Sequence, residues 1–140
     1  MLRFALVREL LRTKYSVMFL DEESRVLRRT RNEEPFASLA DLEAEYASLL
    51  RAMNAVDRPR YGQLIDARRA PPRNDPDFEA TVARYHEALY RGFVATAVLV
   101  RSAVGKLHVR RMLDASGLEA GVFHDDVEAL RYLAEALASS

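Results

Sequence analysis

Two groups of side chains that could bind an anion follow predicted strands. The first group is Arg68, Arg69, Arg73, Asn74 and Asp75, and the second is Arg101, Ser102 and Lys106. Ligands of open α/β sheets bind beyond the carboxyl ends of the strands, and the second group leads into a helix N-terminus, whose free N–H groups attract anions. We therefore predict a weak anion site at this strand-end rim. The alternative is a solvated loop whose arginines pair with Asp75 and Asp77.

No set of residues has the spacing of a catalytic or metal centre. The chain has no cysteine, which excludes disulfides and thiolate chemistry, and its three histidines lie far apart. Asp66, Asp75 and Asp77 could form an acid/base cluster. Helix capping accounts for Asp75, however, and the helix dipole accounts for Asp77. We expect no enzyme activity, no metal and no cofactor.

The composition is typical of a single globular domain. The 140 residues are 49% hydrophobic and 30% charged, and 21 basic residues balance 21 acidic ones. A net charge of zero exerts no general attraction on nucleic acid or on an anionic membrane. No apolar run is long enough to span a membrane, and the N-terminus does not resemble a signal peptide. We therefore expect a cytoplasmic protein with no transmembrane segment.

Hydrophobic periodicity and breaker residues predict an alternating order of strands and helices. Ser38, Asp75 and Asp125 are typical helix N-caps, and Gly117 is typical of a C-cap. The predicted elements are a hairpin over 15–30, helices over about 38–56, 76–91, 104–115 and from 125 onward, and strands over 60–66, 94–100 and 120–124. This order predicts an α/β fold in which a mixed sheet with an N-terminal hairpin and parallel crossovers packs against about four helices. The apolar segment 94–100 predicts the centre of the sheet.

The apolar spacing also predicts which helix faces are buried. Val104, Leu107 and Met112 are expected to point inward from the third helix. Val127, Leu130, Leu133, Ala134 and Leu137 are expected to form the buried face of the fourth. On the second helix, Tyr85, His86, Leu89 and Tyr90 lie one turn apart. They indicate a hydrogen-bonded helix face rather than a proton relay.

The first 14 residues form an apolar and basic segment ahead of the domain predicted over 15–140. Residues 1–11 include six large apolar side chains, and burying each contributes about 1.5–3 kcal/mol. A helix separates these side chains from the arginines better than a strand does. We expect the segment either to mediate homodimerisation or to fold back and complete the sheet edge.

The element order, together with Gly62–Asp66, Arg73–Pro76 and Val98–Arg101, resembles the STAS domain. The likeness covers about residues 15–137 and is strongest to the bacterial branch similar to stage II sporulation protein AA, also described as STAS/CRAL-TRIO-like. The resemblance implies an anti-sigma-factor antagonist that is switched by phosphorylation of a serine or threonine at the start of the helix after the third strand. The corresponding turn, residues 73–77, has no hydroxyl group.

Two functions follow from these expectations. The leading one is a non-enzymatic module that binds an unknown protein partner. The alternative is a sensor that binds a nucleotide, metabolite or lipid headgroup at the strand-end rim. A rim pocket lined by Arg68, Arg73 and Arg101 would favour the sensor, and an exposed apolar patch without a pocket would favour the interaction module.

Overall fold

A computed structural model describes residues 7–73 and 75–140 of the chain. These residues form four α-helices and one six-stranded mixed sheet, which confirms the predicted α/β class. In chain order the elements are β1 (Val7–Arg12), β2 (Ser16–Asp21), β3 (Val26–Arg31), α1 (Leu39–Met53), β4 (Gly62–Asp66), α2 (Pro76–Tyr90), β5 (Thr96–Leu99), α3 (Ala103–Ser116), β6 (Gly121–Phe123) and α4 (Asp126–Ser139). A short 3₁₀ turn, Arg58–Arg60, precedes β4 where the sequence predicts the start of a strand.

The six strands lie side by side in chain order. β1, β2 and β3 pair antiparallel, and β3 to β6 pair parallel. Each helical crossover therefore moves to the next strand in the same direction. Since such crossovers are almost always right-handed, α1, α2 and α3 are expected on one face of the sheet, and α4 follows on the other. We call these faces the three-helix face and the single-helix face.

Each face has its own hydrophobic core. On the three-helix face, Met18, Leu27, Ile65 and Val98 pack with residues of α1 and α2 such as Leu49. On the single-helix face, the buried residues are Val26, Leu64, Ala97 and Leu99 from the strands with Ala129 and Leu133 from α4. Side chains alternate between the two faces along a strand. In β3, Leu27, Arg29 and Arg31 therefore share the three-helix face, while Arg28 lies on the other.

The predicted helix caps are confirmed. The side chains of Ser38, Asp75 and Asp125 each accept a hydrogen bond from a backbone N–H in the first turn of their helix. Ser102 caps α3 in the same way, through the N–H of Gly105. Gly117 ends α3 with a φ of 68°, a conformation that costs glycine little because it lacks a Cβ.

The prediction that residues 94–100 lie at the centre of the sheet is wrong. All four residues of β5 are buried, but β5 is the fifth strand of six and neighbours the edge strand β6. The strand is apolar because helices cover it on both faces, whatever its place in the order. The apolar pattern therefore predicts burial on both faces, and it does not predict a central position in the strand order.

The predicted inward faces of α3 and α4 are also partly wrong. In α4 the predicted burial of Leu133 and Leu137 is confirmed, and in α3 the buried leucine is Leu113. The exposed residues are Val104, Leu107, Val127 and Leu130, and Ala134. Val104 precedes Leu113 by nine residues, which is about two and a half turns and places it on the opposite side of the helix. The apolar residues of these helices form two stripes, and only one stripe contacts the sheet.

The N-terminal segment contributes a strand to the domain. Residues 1–6 lie outside the described residues, but Val7–Arg12 is the edge strand β1. The helical interpretation is therefore wrong for residues 7–12. A register irregularity between Glu9 and Leu11 lets both Leu10 and Leu11 pack against the core of the three-helix face. This strand completes the sheet edge as the alternative predicted, so no boundary at residue 14 separates it from the domain; homodimerisation stays a prediction.

None of the helices in the described ranges has the length and the apolar character that are needed to span a membrane.

Candidate functional site

The first group of the strand-end rim forms ion pairs within the protein. Arg68 Nη2 lies 2.8 Å from Asp66 Oδ2 and 3.0 Å from Asp126 Oδ1. Arg28 of β3 reaches the same two carboxylates at 2.9 and 3.2 Å. Burial alone would raise the pKa of Asp66, but hydrogen bonds from Arg68 and Arg28 hold this pKa below its ordinary value. Two arginines and two aspartates therefore neutralise each other in what we call the rim network.

The other rim residues are separated from one another. Arg69 pairs with Glu33. Arg73 lies 3.6 Å from Asp75, as the solvated-loop alternative predicts, and stacks on the ring of Phe78 at 3.4 Å from its centroid. Asn74 lies outside the described residues. Arg101, Ser102 and Lys106 do not line the cavity described next, and of the seven described rim residues only Arg73 does. Anion binding at the rim stays a prediction.

A cavity of about 700 Å³ lies instead between the three-helix face and helices α1, α2 and α3. This volume falls in the range of small-molecule sites. Its apolar wall includes Phe36, Leu42, Leu49, Ile65, Val82, Val98, Val109 and Met112. Its polar and charged lining includes Arg29 and Arg31 from β3, Glu45 and Tyr46 from α1, Glu79, His86 and Tyr90 from α2, and His108 and Arg111 from α3. The cavity thus combines an apolar wall with a few ionisable groups.

Arg29 is the charge at the sheet side of this cavity. It occupies the middle of β3, opposite Met18 of β2 and Ile65 of β4, so its neighbours across the strands are apolar. Its Nε atom is buried and has no hydrogen-bond partner. Within residues 7–73 and 75–140, no carboxylate forms an ion pair with its guanidinium. An unpaired charge in such surroundings is costly.

His86 presents a second unpaired polar atom to the same cavity. Its side chain is 5% exposed, and its Nδ1 has no hydrogen-bond partner. Burial, and to a lesser extent the charge of Arg29, lower the pKa of His86 to about 4. The imidazole is therefore neutral at neutral pH and is a hydrogen-bonding group without charge. The expectation of a hydrogen-bonded helix face is wrong at His86.

Two tyrosines complete the surroundings of Arg29. Burial raises the pKa of Tyr46 and of Tyr90, and the positive charge of Arg29 opposes this rise in both cases. The rings of His86 and Tyr90 lie 5.4 Å apart, centroid to centroid. Residues of β3, α1 and α2 thus converge on one guanidinium.

Two other charged residues of the cavity lining, Arg31 and Glu45, already have partners. Arg31 donates a hydrogen bond to the carbonyl of Asn32 and stacks on Phe36 with its Cζ 4.5 Å from the ring centroid. Glu45 is 4% exposed and accepts a hydrogen bond from the Thr13 hydroxyl at 3.1 Å. Arg29 and His86 are therefore the lining residues whose buried polar atoms are available to a ligand.

Sequence reasoning missed this site, although a signal for Arg29 exists. Residues 25–30 were interpreted only as the returning strand of a hairpin. Because side chains alternate along a strand, the inward position of Leu27 also turns Arg29 toward the core. An arginine at an inward position of a central strand is unusual and indicates a partner or a ligand. No comparable signal exists for His86, whose burial depends on how α2 packs.

No family model matches the chain, and the searches of curated proteins and of solved structures likewise return no match.

Proposed function

We propose that this domain is a non-enzymatic binding protein that takes up a small apolar anion in the cavity, with Arg29 as its counter-ion. The observation that supports the proposal is the unpaired guanidinium in an apolar wall. The proposal keeps the ligand class of the predicted sensor but moves its site. The strand-end rim is replaced by the space between the three-helix face and its helices.

The energetics of Arg29 support this function. Arg29 is partly buried and its buried Nε lacks a hydrogen bond. This missing bond destabilises the fold, and an apolar residue of similar volume would avoid that cost. A bound anion would supply the missing ion pair and would also satisfy Nε. The surrounding apolar wall would contribute affinity through the burial of the ligand's apolar body.

A fluorescent apolar anion tests the proposal directly. 8-Anilinonaphthalene-1-sulfonate, titrated into the full chain, should bind saturably at one site. Arg29→Met should weaken this binding about tenfold or more, because a hydrogen-bonded charge pair contributes about 1.5–3 kcal/mol. Val109→Trp should also weaken it by narrowing the cavity, since Val109 lines the wall from α3.

Arg60→Met is the matched control. Arg60 is exposed, lies in the turn before β4 and does not line the cavity. Binding to this variant should equal binding to the wild type. Dye binding that is unsaturable, or equal in the Arg29 and Arg60 variants, would contradict the proposal, provided that all proteins unfold cooperatively.

A protein-interaction module is the second candidate, and the exposed apolar side chains of α3 and α4 favour it. Val104 is 78% exposed and Val127 is 64% exposed, and Leu107 and Leu130 lie one turn further along the same helices. Exposed apolar groups of this kind are common at interaction surfaces. The proposed relationship to the STAS domain, and a cytoplasmic location, belong with this candidate.

Affinity capture from the native host tests the second candidate. A partner held by wild type and lost with both Val104→Ser and Val127→Ser, but kept by Arg29→Met, would support a surface role. A partner lost only with Arg29→Met would assign recognition to the cavity instead.

A further inference from the structure

The described lining of the cavity carries one uncompensated positive charge. Burial lowers the pKa of Arg31, and the negative charge of the nearby Glu45 partly opposes this shift. Arg73 lies beside Asp75. Among the other charged residues of the lining, three arginines (Arg29, Arg31 and Arg111) exceed two glutamates (Glu45 and Glu79) by one charge, and His86 is neutral at neutral pH. One negative charge would balance this excess, whereas a doubly charged group would leave one charge unbalanced in an apolar space.

The described lining of the cavity offers a phosphate group no free helix N-terminus. Phosphate groups in proteins often bind at the free N–H groups of a helix N-terminus. Among the described helices that line the cavity, the Asp75 carboxylate occupies the N-terminus of α2, where Pro76 has no N–H. Ser38 occupies that of α1, and α3 lines the cavity only from His108 onward. Among the described lining side chains, Arg29 Nε and His86 Nδ1 are the buried polar atoms without a hydrogen-bond partner.

Two oxygen atoms match these two donors. A carboxylate can accept a hydrogen bond from a guanidinium on one side and from an imidazole N–H on the other. His86 Nδ1 has no partner in the described structure and can carry its proton as the neutral tautomer. The apolar wall then receives the rest of the molecule.

We propose that the ligand is a monocarboxylate with an apolar body, whose carboxylate lies between the Arg29 guanidinium and the buried imidazole of His86. This inference rests on the proposed function and narrows it to one class of anion. His86 is a positioning residue in this site, because it orients the carboxylate that Arg29 neutralises.

Calorimetry with three matched probes tests the inference. Octanoate, octyl phosphate and 1-octanol share one apolar tail and differ in the headgroup. At pH 7.5 octanoate should bind the full chain about tenfold or more tightly than 1-octanol, and octyl phosphate should bind more weakly than octanoate. In Arg29→Met, octanoate should lose its advantage over 1-octanol, while the affinity for 1-octanol stays the same.

The outcomes separate this inference from the proposed function. If octyl phosphate binds most tightly and depends on Arg29, the cavity binds anions but the monocarboxylate assignment is wrong. If none of the three probes and no dye binds, both are wrong. If all three bind equally and independently of Arg29, the guanidinium is not a counter-ion, which also overturns both.

The imidazole NMR signals of His86 supply a readout that a merely structural residue would not change. At pH 7.5 the imidazole is neutral and octanoate is ionised. Bound octanoate should shift the Nδ1 signal of His86, because Nδ1–H then donates a hydrogen bond to the carboxylate. A His86 spectrum that is unchanged at saturating octanoate would place the carboxylate away from His86 and overturn the assignment.

Discussion

Two adjacent arginines of β3 have opposite surroundings. Arg28 lies on the single-helix face and bonds to the carboxylates of Asp66 and Asp126. Arg29 lies on the three-helix face, where its buried Nε has no partner. The residue type and the strand are the same, so the difference arises from what the opposing helix contributes. α4 supplies a carboxylate at its N-terminus that pairs with Arg28, whereas the carboxylates of the helices over Arg29, Glu45 and Glu79, form no ion pair with it in the described structure. One arginine is part of the fold, and the other is available to a ligand.

The largest expected effect on the Arg29 side of this comparison is a pH dependence of the free energy of unfolding, caused by the protonation of His86. Its folded pKa of about 4 lies below the ordinary 6.5, so the unfolded chain binds the extra proton first. The neutral imidazole of His86 therefore leaves the free energy of unfolding undiminished above pH 6.5, and this free energy falls as the pH is lowered toward 4. Urea unfolding should show a loss of roughly 3 kcal/mol over this range, since each pKa unit corresponds to about 1.36 kcal/mol.

His86→Gln should remove that part of the pH dependence. A profile that is the same in the variant and the wild type would mean that the interior around Arg29 is more hydrated than the structure indicates.

The next largest effect concerns the rim network. Asp66→Asn removes the carboxylate that Arg28 and Arg68 share and should lower the free energy of unfolding at pH 7 by about 2 kcal/mol. Its matched control is Asp75→Asn, which removes a carboxylate next to Arg73 but keeps a good N-cap, and which should change stability by less than about 0.5 kcal/mol.

The same variant predicts a change at acid pH. The pKa of Asp66 is lowered, so its contribution is complete above its ordinary value of 3.8 and is lost as the pH falls through the lower folded value. Asp66→Asn should lack this acid-induced loss. Equal stability of the two aspartate variants would show that the network is only a solvated surface.

The smallest effect, with the opposite sign, is expected for Arg29. Arg29→Met removes an unpaired charge and should leave stability unchanged or raise it by about 1 kcal/mol, whereas Arg28→Met should lower it by a similar amount. Chemical denaturation of both variants measures the difference. Destabilisation of equal size in both would remove the contrast and, with it, the stability argument for a ligand at Arg29.

The extent of sequence-based prediction differs between the fold and the site. The hairpin, the N-caps at Ser38, Asp75 and Asp125, and the C-cap at Gly117 follow from local residue chemistry and are confirmed. The predicted buried face of α3 was wrong, because the helix has two apolar faces and only the tertiary packing determines which one is buried. The strand-end rim was inferred from where ligands of such folds bind, but its arginines meet Asp66, Asp126 and Glu33 from distant parts of the chain.

From residue 15 onward, the sequence by itself determined the order of strands and helices, the caps and the single mixed sheet, because these depend on interactions within a few residues and on the burial of apolar side chains. Only the tertiary structure decided which arginine is paired. Arg28 and Asp126 are 98 residues apart in the chain, and their contact depends on α4 crossing the single-helix face. Likewise, the cavity and the desolvation of His86 exist only where α1, α2 and α3 pack around β3. Charge compensation is a property of spatial neighbours, which a local sequence pattern does not specify.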